Sequence, residues 1–126
     1  MGLLAMLTGC GFLKPGMGAV NEAAEGAPGV VTADLSRGPG GGLGDGLMGS
    51  ITFNVPPEEL RDALEEAWGR AVEVIHRMDD GERGVPVNGV HGVAEDGTTV
   101  YVAELVDIGS STGPVMGHFY DHYGVG

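Results

Sequence analysis

The sequence predicts an α+β fold: one long helix packed on a mainly antiparallel sheet of about four to five strands, behind a loosely packed or disordered N-terminal segment. Three observations predict it. Residues 57–78 carry apolar side chains at helical spacing. Five short runs, 30–36, 50–55, 85–91, 98–108 and 115–123, are rich in β-branched or aromatic residues. Turn residues separate them, and Asp96-Gly97 marks a hairpin. The order strand, strand, helix, then three strands suits a helix on one face of an antiparallel sheet. A length of 126 residues suits one domain.

The chain opens Met-Gly-Leu-Leu-Ala-Met-Leu-Thr-Gly-Cys. Leu7-Thr8-Gly9-Cys10 resembles the lipobox of bacterial lipoproteins, in which an aliphatic residue and two small ones precede the modified cysteine. The resemblance implies that residues 1–9 are a signal, shortened or complete, and that Cys10 is the lipid attachment site. It also accounts for a chain with a single cysteine, since a thioether needs no disulfide partner. No basic residue precedes Cys10, and Lys14 follows it. The alternative is a short apolar N-terminal element with an ordinary buried thiol. Residues 10–29, rich in Gly, Ala, Pro and Glu, hold no persistent apolar period and are expected to be a flexible tether. The folded domain is then 30–126.

Residues 37–49 form a Gly-rich stretch, expected to be a mobile loop between two strands. Gly44, Gly46 and Gly49 match the spacing GxGxxG. A dinucleotide fingerprint needs a helix after it, and here Ser50 to Val55 alternates like a strand, so a nucleotide site is not expected. Pro56-Pro57-Glu58-Glu59 starts the long helix, with proline in the first turn and acids at the positive end of the dipole. Leu60, Leu64, Trp68, Val72 and Ile75 lie on its apolar face. Glu66–Arg70 and Glu73–Arg77 are spaced as i,i+4 ion pairs. Gly69 is expected to let a sheet approach, and His76 to be solvated. Asp79-Asp80-Gly81 ends the helix.

Pro86 marks 85–91 as an edge strand. In the strand 98–108, Val100, Val102, Val106 and Ile108 should face one way, with Tyr101, Ala103 and Leu105 opposite. A strand over 115–123 would set His118 and His122 about 13 Å apart, too far to share an ion. On a helix the pair would share a face and could take a metal; on the strand a third ligand, His91 or Asp121, would be needed to rescue such a site. The expectation is no metal site, no cofactor and no catalytic residue. Ser110 and Ser111 lie near no recognisable base.

The layout as a whole is similar to a family of small bacterial lipoproteins of unknown function. The matching stretches are Leu7 to Cys10, Phe53 to Ala67, Glu95 to Val102 and Thr112 to Asp121. The aromatic of that family falls early in the helix, whereas Trp68 comes two turns later. The resemblance implies a non-catalytic, lipid-anchored cell-envelope protein, structural or binding an envelope partner, joined to the membrane through its lipid. Two alternatives stand beside it: a soluble intracellular interaction protein, and a histidine-based metal-binding protein. A net charge of −12, from 18 acidic and 6 basic residues, excludes nucleic acid as a partner, because phosphate binding needs clustered Lys and Arg.

Overall fold

The computed structural model describes residues 15–39, 45–107 and 113–126. The fold is α+β, as the sequence predicts. Among the described residues, three helices accompany a four-stranded sheet of order β1-β2-β3-β4. The strands are β1 (Val30–Pro39), β2 (Asp45–Phe53), β3 (His91–Val93) and β4 (Thr99–Tyr101). The described helices are α1 (Met17–Glu25), α2 (Pro57–Met78) and α3 (Met116–Tyr123), with a 3₁₀ turn at Val102–Leu105.

α2 spans the predicted residues. Its first turn holds Glu58 and Glu59, and it ends where Asp80 and Gly81 take left-handed backbone angles, φ 54° and 74°. Leu60, Leu64, Ala67, Trp68, Ala71, Val72 and Ile75 have no solvent exposure. The expected Glu66–Arg70 pair forms at 2.8 Å. Glu73 and Arg77 form no ion pair among the described residues. α2 also carries the chain from β2 to β3, which pair in parallel. A parallel pair needs a crossover connection, and α2 supplies it. The β1–β2 and β3–β4 pairs are antiparallel. At the Asp96-Gly97 turn, the Ala94 N–H donates to the Thr98 carbonyl at 2.8 Å, and Gly97 has φ 93°.

Four expectations need correction. Residues 10–29 are not simply a tether, because they contain α1. Its Val20 and Ala24, four apart, are fully buried, and α1 packs against α2 and β1. The Gly-rich loop at 37–49 is shorter than expected. β1 runs on to Pro39 and β2 begins at Asp45, with Arg37 opposite Leu47 and Gly38 opposite Gly46. Residues 98–108 leave the sheet after Tyr101. The Glu104 carboxylate accepts from the Tyr101 N–H at 2.9 Å, and the 3₁₀ turn then puts Val102 and Leu105 on the same buried side. Ile108 lies outside the described residues.

The fourth correction is the largest: residues 115–123 form α3, not a strand. The adjacent Phe119 and Tyr120 are both buried, which a strand packed on one face cannot achieve. Gly124, at φ 67°, closes the helix in the left-handed conformation. Three smaller differences follow. Gly69 admits α3, not the sheet; a Cβ there would lie 2.9 Å from a Tyr123 ring carbon. His76 is half-buried, edge-on to Tyr120 with ring centroids 4.9 Å apart. The stretch 85–91 makes only isolated bridges, Val87 to Leu47 and Pro86 to Val115, before β3 begins at His91.

Helix α1 finishes the free edge of β1. The Asn21 side chain donates to the Leu35 carbonyl at 3.0 Å and accepts from the Leu35 N–H at 2.7 Å. The Glu25 carboxylate accepts from the Ala33 N–H at 2.9 Å. Backbone groups that a neighbouring chain could pair with are thus occupied. A register shift between Val30 and Thr32 leaves Val31 out of the ladder, 60% exposed.

Trp68→Ala is expected to lower stability by about 3–5 kcal/mol, through lost burial and the cavity left behind. Glu66→Ala, on the exposed face, should cost less than ~0.5 kcal/mol. Urea unfolding of the whole chain checks both, and equal midpoints would contradict the packing of α2. Alkaline pH tests the far end of the same core. Burial, and then the Asp79 carboxylate, push the Tyr120 hydroxyl up to about 12. An unfolded tyrosine ionises near ~10. The folded state therefore holds this proton more tightly, and its contribution is intact below about pH 10 and lost as pH rises toward about 12. Burial also raises Tyr123. Replacing both tyrosines by Phe should flatten the decline of the urea midpoint above pH 10.

Candidate functional site

The residues singled out from the sequence fall in different places. Cys10, Gly44, Ser110 and Ser111 lie outside the described residues. Gly46 and Gly49 belong to β2, and their role is steric. A Cβ on Gly49 would sit 2.1 Å from the Asp34 carbonyl oxygen of β1, and φ there is +120°. The strand after Gly49 offers no helix N-terminus to a pyrophosphate. His91, in β3, points Nδ1 at the Gly89 carbonyl at 2.8 Å and packs its ring on Tyr101, centroids 5.2 Å apart.

His118, Asp121 and His122 do come together. They line an open cleft of about 340 Å³, whose other wall is Leu105, Val106 and Asp107. The 3₁₀ turn supplies the apolar side and α3 the polar one. Because 115–123 is helical, His118 and His122 share a face one turn apart, and the strand-based separation of the pair does not apply.

Each imidazole has a defined partner. Nδ1 of His118 accepts from the backbone N–H of Val115 at 3.0 Å, capping the first turn of α3. In the neutral ring that leaves Nε2 as the donor. Nε2 of His122 meets both carboxylate oxygens of Glu65, at 3.0 and 3.1 Å. Tyr123 holds Glu65 from behind, its hydroxyl donating to the Glu65 carbonyl at 2.9 Å. Arg83 reaches Asp121 at 2.8 Å and the Gly117 carbonyl at 3.2 Å.

With one nitrogen capping a helix and another facing a carboxylate, the histidine pair does not present two free lone pairs to one point. Among the described residues, no group of three or more His, Cys, Asp or Glu side chains is placed to hold a metal ion. What the cleft offers is hydrogen bonding: an imidazole donor, an imidazole–carboxylate pair and the Asp107 carboxylate beside Leu105 and Val106. Glu65 and Asp107 were not legible as site residues. Glu65 is 57 positions from His122 and sits among the acids of a helix face.

A second, larger groove of about 520 Å³ lies between the α1–β1 connection and α2. Pro28, Val55 and Ala63 form its apolar part, with Glu59, Asp62 and Glu66 along the helix. It is an open surface feature whose polar side chains are all carboxylates.

Losing the cap should make His118→Ala cost about 1 kcal/mol, in the range of other helix-cap deletions. His122→Ala, which breaks a partly exposed pair, should cost less than about 1 kcal/mol. Thermal melts at pH 7.5 would rank the two, and equal losses would contradict the capping role. Gly49→Ala should exceed both, because neither the φ angle nor the Asp34 backbone can yield cheaply.

No protein-family model, curated protein or solved structure matches this chain.

Proposed function

We propose that this chain is a non-catalytic, lipid-anchored protein of the cell envelope, whose small α+β domain has a structural or partner-binding role. The observation that carries this reading is the run Leu7-Thr8-Gly9-Cys10, which resembles a lipobox and holds the one cysteine of the sequence. The first described helix begins at Met17, so cleavage ahead of Cys10 would leave every described element whole. Among the described residues, the buried core begins at Val20. Lipid on Cys10 would supply the membrane attachment. Among the described residues, no helix is long and apolar enough to cross a membrane.

The surface suits binding better than turnover. Two of its concavities are open grooves with mixed apolar and acidic walls. A partner would be a protein or peptide of the envelope and not a nucleic acid, given the net charge of −12.

At up to ~3.6 Å per residue, the stretch from Cys10 to Met17 reaches no further than about 25 Å. An anchored domain would therefore stay close to the bilayer surface, and a partner would have to meet it there.

Intact-mass measurement on protein from membranes of the native host is expected to show a diacylglyceryl-modified Cys10 as the first residue. Cys10→Ser should move the protein to the soluble fraction without changing its circular dichroism. A wild-type protein found soluble, with Met1 retained, would overturn the proposal.

A further inference from the structure

We infer that His118 is a proton-operated latch on α3: neutral, it caps the helix through the Val115 N–H; protonated, it releases that cap and loosens α3 from α2. The inference starts from the direction of one hydrogen bond. At the N-terminus of a helix the orphan groups are N–H donors, and a side chain that caps them must accept. Glutamate or glutamine usually fills the third helical position for this purpose. Here the side chain is His118, reaching back 3.0 Å to Val115 through Nδ1. A carboxamide there would accept at every pH. An imidazole accepts only while Nδ1 is unprotonated, and both nitrogens of an imidazolium are donors.

The surroundings give the charged ring somewhere to go. The Asp107 carboxylate lines the same cleft from the end of the 3₁₀ turn, and no ion pair holds it among the described residues. Asp121 also faces the cleft from α3 but is engaged by Arg83, which comes from the segment before residue 85. From α2, Glu65 is held by His122. The remaining charged groups around His118 are thus paired with one another. An imidazolium that leaves Val115 would find Asp107 as its open partner.

What the latch holds is part of the core. Met116, Phe119 and Tyr120 of α3 are fully buried or nearly so, and Phe119 packs edge-on to Trp68 with ring centroids 5.4 Å apart. The helix has only 8 residues, so its first turn is a large share of its hydrogen bonding. His122 works in the opposite sense: a proton on it favours the bond to Glu65 and the docking of the last turn. One helix therefore carries two imidazoles that respond oppositely to acid.

Amide hydrogen exchange of the full chain tests this, read as protection factors for residues 115–123 at pH 7.5 and pH 5.0, an interval in which imidazole gains its proton. In the wild type, protection in the first turn of α3 should fall about fivefold on acidification, the equilibrium equivalent of losing one cap. His118→Gln, which keeps an acceptor at every pH, should hold its protection at both. His122→Gln should still show the fall. A wild type with no loss, or His118→Gln with the same loss, would overturn the latch. Nitrogen-15 shifts of the His118 ring give a reading independent of any variant. An unprotonated, acceptor-type Nδ1 at pH 7.5 supports the latch, and a protonated Nδ1 overturns it.

Discussion

The indole of Trp68 meets the ring of Phe119 edge-on, and neither has any solvent exposure. The rest of the structure is arranged around that contact. α2 presents to its neighbours an apolar face broad enough to serve three of them. The sheet takes one side through Ile51 and Phe53, α1 takes another through Val20 and Ala24, and α3 closes the third through Met116, Phe119 and Tyr120. Gly69, one residue from Trp68, is what lets α3 come close. Buried apolar area is the main favourable term in a domain of this size. Most of it depends on where one helix face points.

Around that core the polar chemistry does a different job. Both outer strands of the sheet are finished by carboxylates of their own chain. Glu25 accepts from the backbone of β1, and Glu104 accepts from the backbone of β4 at Tyr101. A strand edge left open invites pairing with another molecule. These acids occupy the donors and add local negative charge against such pairing. Part of the surplus of acidic residues thus has a structural meaning that a count of charges does not reveal.

How much could be read from the sequence differs by element, for physical reasons. α2 was legible to its end residues, because 22 residues of helical periodicity between a proline start and an Asp-Asp-Gly stop leave little ambiguity. The Asp96-Gly97 turn was legible because few dipeptides fit its backbone angles. α1 was hidden because it buries only Val20 and Ala24, two small residues in a composition that reads as linker. α3 was misread because glycines and aromatics suggest a strand. Yet Phe119 and Tyr120 side by side, with Gly124 following, fit a short helix better. Of the candidate site, the sequence offered His118, Asp121 and His122 but not their arrangement. The side chains that hold His122 and Asp121, Glu65 and Arg83, arrive from distant segments.

The few basic residues have a further consequence. Arg37 of β1 pairs with Asp79 at the end of α2. Arg61 joins α2 to the Glu104 carbonyl at 2.8 Å, and Arg70 joins it to the Gly26 carbonyl at 2.9 Å. Arg83 joins the chain after α2 to α3. Four arginines therefore act as cross-links between elements, and three of the four grip backbone oxygens that never change their charge. Counter-ions screen the mutual repulsion of the many surface acids far more than they weaken arginine-to-carbonyl bonds. Ionic strength should consequently act on this molecule as a compacting agent, tightening a body whose tethers are largely indifferent to salt.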